Sequence, residues 1–240
     1  MFSVNIYKAD LHTHTVSSGH AYSTVTENAR VAYEKGLEVI AMTDHAPAMP
    51  GSCGQLHFFN IRVVPKVIEG VRVLRGAELN ILNSDGDIDL PEVAISRLDI
   101  VIASLHTPCI APMDEEETTL TLINTIKKPF VNIIGHPGDP RYPFDIKRVV
   151  SCARDNNTLL EINNSSFSPY NTRKGGEKTV LEMMKECKKQ ALPIAMGSDA
   201  HYCADVGNFQ YLIPLIDEIN FPRELIINTN TEDLFKFLEV

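Results

Sequence analysis

The sequence predicts an α/β fold of parallel strands, each followed by a helix, on three observations. Short apolar runs recur along the chain, helix start signals fall between them, and polar residues collect where the runs end. A strand covered on both faces reads as a continuous apolar run rather than an alternating one. The runs are VNIY (4–7), VIAM (39–42), VRVL (71–74), IVIA (100–103), VNII (131–134), LLEI (159–162), PIAM (193–196) and LIIN (225–228). Such a strand–helix rhythm fits either a (β/α) barrel or an open doubly wound sheet, and periodicity alone leaves both open.

The elements between the runs follow in order. Thr24-Val-Thr-Glu27 is a capping box, in which the threonine hydroxyl and the glutamate carboxylate satisfy each other's free amides, and it opens a helix over 25–35. Gly36 supplies the left-handed residue that ends it. Residues 80–92, NILNSDGDIDLPE, are turn-rich and predict a hairpin or loop. Asp114 with Glu117 opens 115–128, which runs out at Lys127-Lys128 before Pro129. Asp145 opens 146–155, a long helix lies within 174–190, and Thr231 is expected to cap 232–239.

Composition narrows the class. With 44% hydrophobic and 22% charged residues, the 240-residue chain has the make-up of a globular protein that can bury a sizeable core. A formal net charge of −9 disfavours nucleic acid and anionic membranes as partners. The apolar stretches are too short for a membrane-spanning helix. MFSVNIYKAD lacks the basic and then apolar regions of a signal peptide. Five cysteines without CxxC spacing argue against a disulfide framework or a cysteine zinc knuckle, so a reducing cytoplasm is the expected location. Cys109 and Cys203 lie near histidines, but packing is the usual use of a free cysteine.

The histidines carry the functional signal. VNIYKAD leads to His12, His14 and His20 in DLHTHTVSSGH, and EVIAMTD leads to His45. VRVLRGA leads to Glu78, IVIASL to His106, VNIIG to His136, and PIAMGSD to Asp199 and His201. Carboxyl ends of parallel strands are where α/β active sites assemble, because the loops that follow converge there. His12-x-His14 places two imidazoles on one side of an extended chain, where both can hold one ion. Imidazole plus carboxylate suits Zn²⁺, Mn²⁺ or Fe²⁺, and nine such residues are enough for two or three ions if a carboxylate bridges. His57 has no strand context and reads as structural or surface. Asp85, Asp87 and Asp89 resemble a calcium loop only faintly, lacking its terminal glutamate, and read as a solvated turn. Neither a nucleophile elbow nor a phosphate loop is present.

DLHTHT, AMTDH, GAE, SLH, GHPG and GSDAH, in this order and spacing, resemble the PHP (polymerase and histidinol phosphatase) family, in particular its stand-alone YcdX-like branch of small phosphatases. The likeness runs from Asp10 to about Asn230, so one domain over 1–240 is expected. The resemblance implies a distorted (β/α)₇ barrel of TIM-like type with a trinuclear metal centre. By that resemblance His12, His14, Glu78 and Asp199 hold one ion, and Glu78 bridges to a second held by His106 and His136. His20, His45 and His201 then hold the third. Zn²⁺ is the first expectation, with Mn²⁺ or Fe²⁺ as alternatives. The implied reaction is hydrolysis of a small phosphomonoester by a metal-bound hydroxide, with Asp199, Glu78 and His106 as candidate catalytic residues. Three divalent ions and two carboxylates leave a local charge of about +4, which attracts a phosphate dianion in spite of the acidic surface. Asp10 and Asp44 are candidates to fix imidazole tautomers. Arg141, Arg173 and Lys174 are candidate substrate contacts, and a trimer is the assembly the resemblance implies.

Three other readings compete. A phosphodiesterase or exonuclease is disfavoured by the acidic balance and the lack of a basic groove. A non-catalytic metal-binding regulatory module predicts a saturated site without turnover. An amidohydrolase is less apt, because the bridging position is Glu78 rather than a lysine.

Overall fold

The computed structural model describes residues 6–240. Seven parallel strands form one sheet in the order β1 (Ala9–Thr13), β2 (Val39–Met42), β4 (Val71–Asn80), β5 (Ile100–Ser104), β6 (Ile133–Gly135), β7 (Leu159–Asn163) and β8 (Ile194–Gly197). β3 (Val67–Ile68) makes an antiparallel hairpin with the start of β4. The first and last strands approach one another at their carboxyl ends, where the amide of His14 donates to Ala200 O and that of Asp199 to His12 O, both at 2.9 Å. The sheet is therefore a nearly closed barrel, and the open-sheet alternative falls away.

Helices α1 (Val25–Glu34), α2 (Gln55–Asn60), α3 (Glu92–Ile95), α4 (Glu115–Ile126), α5 (Ile146–Asp155), α6 (Glu177–Gln190), α7 (Ile213–Glu218) and α8 (Thr231–Leu238) accompany the strands. The Thr24–Glu27 capping box forms as expected, and Asp114 and Asp145 cap α4 and α5. The cap of α8 is Asn230 rather than Thr231, because the Asn230 side chain accepts from the amides of Glu232 and Asp233.

The barrel interior changes character along its axis. At the amino ends of the strands Val39, Leu74, Ile100, Ile102, Ile133 and Leu159 pack with Leu234 and Leu238 of α8, which closes the floor. Stepping two residues at a time toward the carboxyl ends keeps to one face. Along β5 this passes from Ile102 through Ser104 to His106, and along β7 from Leu159 through Glu161 to Asn163. Each strand thus carries its own transition from apolar floor to polar mouth.

Two of the apolar runs give no strand among the described residues. VNIY precedes β1: positions 4 and 5 lie outside the described residues, and Ile6 and Tyr7 are not extended partners of any strand. The first strand is ADLHT, polar enough to escape a hydrophobicity rule because His12 belongs to the mouth. It also carries one extra residue between Asp10 and Thr13 relative to β2. This bulge lets Leu11 join the interior cluster while the next residue, His12, also faces inward to Glu161. LIIN at 225–228 forms short 3₁₀ turns instead of a strand. The buried Asn228 amide donates to Ala9 O at 2.9 Å and Met196 O at 2.8 Å, and accepts from Met196 N at 2.7 Å. A side chain thus fills the gap between β1 and β8 that a further strand would have filled.

Candidate metal centre

All nine residues singled out by the strand-end rule converge on the mouth of the barrel. Among the described residues, three groups have ligand atoms within 4.8 Å of one another: His12, His14 and Asp199; His45, Glu78 and His106; and His14, His45 and His201. His136 joins them through Nε2, 2.9 Å from Glu78 Oε1. His20 is more exposed and stacks on His45 and His201 with ring centres 5.0 and 4.8 Å away.

Glu78 lies at the centre and is fully buried. Its Oε1 faces His106 Nε2 at 3.2 Å and His136 Nε2, whereas Oε2 faces His45 Nδ1 at 2.7 Å and the Nε2 atoms of His12 and His14 at 3.4 and 3.6 Å. The two oxygens thus serve two different sets of imidazoles. Glu78 Oε2 and His45 Nδ1 nonetheless make no hydrogen bond of acceptable geometry. Buried polar atoms left without partners are costly, and a cation between them would satisfy both.

The imidazole tautomers sharpen this point. His12 Nδ1 donates to Glu161 Oε1 at 2.8 Å, since a carboxylate can only accept. Ser18 Oγ spends its one hydrogen on Asp44 Oδ1 at 2.7 Å, so it accepts from His14 Nδ1 at 3.0 Å and from the His45 amide at 3.1 Å. His106 Nδ1 donates to Asn80 Oδ1 at 2.8 Å. With Nδ1 protonated, each neutral ring turns an Nε2 lone pair inward. His12 Nε2 then meets His14 Nε2 at 3.1 Å, and His14 Nε2 meets Asp199 Oδ1 at 3.1 Å. Acceptor faces acceptor, an arrangement that calls for a proton or a metal ion between them.

The local field favours such a cation. Burial alone would lower the His12 pKa, but Glu161, Glu78 and Asp199 override it and hold the ring well above its usual value. His14 goes the other way: burial and the neighbouring His201 and His45 push it well below. Burial likewise lowers His106, against the pull of Glu78. Burial would raise Glu78, yet His106, His12 and His45 keep its carboxylate well below the normal range. Asp199 is also held well below, burial being outweighed by His12, His14, His201 and Arg173.

The backbone adapts to aim these groups. His136 and Asp199 both adopt left-handed conformations, at φ of 31° and 56°, where a non-glycine residue costs about 1–3 kcal/mol. Each sits just after a strand, and the turn folds the side chain back over the mouth. Gly197 is required by close approach: a Cβ there would lie 2.0 Å from Glu161 Oε1 and 2.6 Å from His12 Cβ. At Gly19 (φ 80°) a Cβ would lie 2.0 Å from Gly51 O, so the turn that carries His20 round packs directly on the loop after β2.

Other expected residues divide. Asp44 reaches His14 only through Ser18. Asp10 touches no imidazole ring: it accepts from Ser198 N and Oγ, Gly207 N and His12 N, and so ties β1 to the loop after β8. Arg173 reaches the centre, donating from Nη2 to Asp199 Oδ2 at 2.9 Å and Asn163 Oδ1 at 3.2 Å. Arg141 is clamped by Asp139, with Nε to Oδ1 at 2.9 Å and Nη2 to Oδ2 at 2.6 Å. Both arginines line a cleft of about 430 Å³ over the mouth, with Tyr170, 94% exposed, at its rim. Lys174 is exposed and outside the cleft lining, which corrects its expected role. His57 sits on α2, 3.6 Å from Asp44 and away from the ligand atoms. Cys109 and Cys203 join none of the ligand groups.

Glu161, Asn163, Asn80 and Ser18 were missed. A carboxylate and an amide within the otherwise apolar LLEIN were the available signal, since a fully buried strand has no cheap place for either.

A parallel barrel whose strand ends present imidazoles and carboxylates around a central glutamate defines a multi-metal centre on a (β/α) scaffold. The PHP-domain profile matches residues 10–139. A probable phosphatase of Caldanaerobacter subterraneus subsp. tengcongensis is 49% identical over 96% of this chain and 90% of that protein. A probable phosphatase of Photobacterium profundum is 47% identical over 97% of this chain and 94% of its own length. Among solved structures, histidinol phosphate phosphatase from Lactococcus lactis, complexed with zinc, L-histidinol and phosphate, shares the fold with a TM-score of 0.64 at 17% identity, covering 90% of this chain and 95% of that one. The chain belongs to the PHP-domain family. Among its described residues no helix is long and apolar enough to cross a membrane.

Proposed function

We propose that this chain, read over 1–240 as one unit, is a metal-dependent phosphatase hydrolysing small phosphomonoesters at a trinuclear centre. The observation that carries the reading is the Glu78 carboxylate, whose two oxygens face two separate sets of inward-turned imidazoles beneath a cleft walled by arginines. The probable phosphatases at 49% and 47% identity support the same reaction class.

His12, His14, Glu78 and Asp199 would hold one ion, Glu78, His106 and His136 a second, and His20, His45 and His201 a third. His45 stands close enough to Glu78 to be shared. The imidazole–carboxylate set favours Zn²⁺, then Mn²⁺ or Fe²⁺. Bound divalent ions would supply Lewis-acid charge at the phosphoryl oxygens and a water of lowered pKa. Glu161 adds a third buried carboxylate beside His12, so the local charge expected with three ions drops to about +3, still attractive to a phosphate dianion.

The chain's own residues do the rest. Arg173 is held by Asp199 and Asn163 with its guanidinium on the cleft wall, where it can donate to a phosphate oxygen. Arg141, fixed by Asp139, presents a second guanidinium on the cleft wall, where a phosphate oxygen or the leaving group can meet it. Glu161 and Ser18 keep the His12 and His14 lone pairs inward, and Asp199, Glu78 and His106 remain the proposed catalytic groups. A cleft of about 430 Å³ suits a small ester better than a polynucleotide.

The test is turnover of p-nitrophenyl phosphate. Dialysis against chelator should abolish it, zinc or manganese should restore it, and His12→Ala should not be restorable. Turnover untouched by chelation would refute the reading.

A further inference from the structure

The last carboxylate of the acidic hairpin after β4, Asp89, turns back onto the strand rather than into solvent. Ile81 and Ile88 pair across the hairpin and bring Asp89 back against Asn80. Asp89 Oδ1 accepts from the Asn80 amide at 2.8 Å, and Oδ2 accepts from Asn80 Nδ2 at 2.6 Å and from the Ala48 amide at 2.8 Å. Asn80 Nδ2 also donates to Ala46 O at 3.1 Å. Both hydrogens of the amide nitrogen are thereby committed, which fixes the orientation of the side chain: Oδ1 must face His106 Nδ1, 2.8 Å away.

We infer that Asn80, locked by Asp89, is the positioning residue for the cluster of His45, Glu78 and His106, and through His106 for the site of the second ion. The couple acts on every member of that group. Oδ1 holds His106 as the Nδ1–H tautomer, so its Nε2 lone pair points at Glu78 Oε1. Asn80 continues the strand that carries Glu78, two residues on. Ala46 and Ala48, gripped by Asn80 and Asp89, follow His45 in its loop, and the Ala46 amide donates to Glu78 O at 2.9 Å. Asn80 is itself completely buried, so water cannot replace these contacts cheaply. The role rests on the metal-centre reading above, but the tautomer does not.

The experiment compares wild type, Asn80→Ala and the exchanged double variant N80D/D89N. The His106 tautomer is read by long-range ¹H–¹⁵N NMR on the chelator-stripped protein, and zinc affinity by titration. Asn80→Ala is expected to release His106 from the pure Nδ1–H form and to weaken one zinc site by roughly 10- to 100-fold while the others keep theirs. N80D/D89N returns a carboxylate oxygen to His106 Nδ1 without restoring the contacts to Ala46 and Ala48. It is expected to recover the tautomer and most of the affinity, which a merely structural role would not do. An unchanged tautomer and unchanged zinc titration in Asn80→Ala overturns the proposal. If that variant does not fold, a folded double variant whose His106 is not Nδ1–H overturns it equally. A wild type that takes up no metal refutes the metal-centre reading instead, and the NMR comparison still decides the tautomer lock.

Discussion

Glu161→Gln is the sharpest probe of how the barrel prepares its centre, because it keeps the shape and removes one acceptor. Glu161 Oε1 accepts from His12 Nδ1 at 2.8 Å, and Oε2 accepts from the His136 amide at 2.7 Å and Asn163 Nδ2 at 3.2 Å. A glutamine has one oxygen for these two sides. With its NH₂ toward His136 it opposes a backbone donor; with its NH₂ toward His12 it forces that ring to accept at Nδ1 and to carry its proton on Nε2. Losing one buried hydrogen bond to a charged group costs about 1.5–3 kcal/mol. For a chain of this size that is a fall of roughly 3–12 °C in Tm. If the His12 tautomer inverts, the first ion should also bind roughly 10- to 100-fold more weakly. Differential scanning calorimetry of the metal-free variant and zinc titration measure the two effects separately. A variant that melts with the wild type and binds zinc equally well would refute the claim that Glu161 sets His12.

Four further outcomes follow from the same geometry. Arg173→Ala, which strips the cleft of a guanidinium held 2.9 Å from Asp199, should lower kcat/KM for p-nitrophenyl phosphate by roughly 10- to 100-fold, read by steady-state kinetics. Gly197→Ala should destabilise by about 1–3 kcal/mol through overpacking against Glu161 and His12, measured by urea denaturation. Leu234→Ala, which opens the floor of the barrel, should cost about 2–5 kcal/mol in the same assay and leave zinc affinity unchanged. Arg75 grips Asp99 through Nε at 2.8 Å and Nη2 at 2.9 Å; although burial raises Asp99, this pair holds its pKa below the unfolded value. The stability it contributes is therefore present above the unfolded carboxylate pKa and lost as pH falls through the folded one. The gap in stability between wild type and Asp99→Asn should be widest near neutrality and close on acidification below about pH 4.

The sequence made the strand–helix rhythm legible because buried parallel strands are apolar on both faces: β2 matches its apolar run to the residue, and β5 and β8 match theirs within one. It misled where burial and secondary structure part company. LIIN is apolar because it packs under the barrel, yet Asn228 does by side chain what a strand would do by backbone. ADLHT is a strand, yet its polar residues serve the metal-ligand cluster (His12), the loop that closes the barrel (Asp10) and the neighbouring strand (Thr13) rather than a core. The nine residues were legible because they collect at or after the ends of apolar runs, where hydrophobic packing gives no reason for them. Glu161 escaped because it sits inside its strand and Asn80 because it opens the turn-rich segment 80–92; only the strand register brings Glu161 against His12 and Asn80 against His106. Asp10 was assigned to a ring because it neighbours His12 in sequence, but its hydrogen bonds go to the backbone of the loop that closes the barrel. Proximity along the chain is a poor guide to which ring nitrogen a carboxylate meets.

The most direct test of the account is the metal content per chain of protein purified without chelator, measured by inductively coupled plasma mass spectrometry. The account predicts about three divalent transition-metal ions per chain, consistent with three or four protein ligands each and a bridging Glu78. Glu78→Gln, which removes the shared carboxylate, should lose more than one of them. One ion or none per chain, unchanged after zinc or manganese is restored, would contradict it.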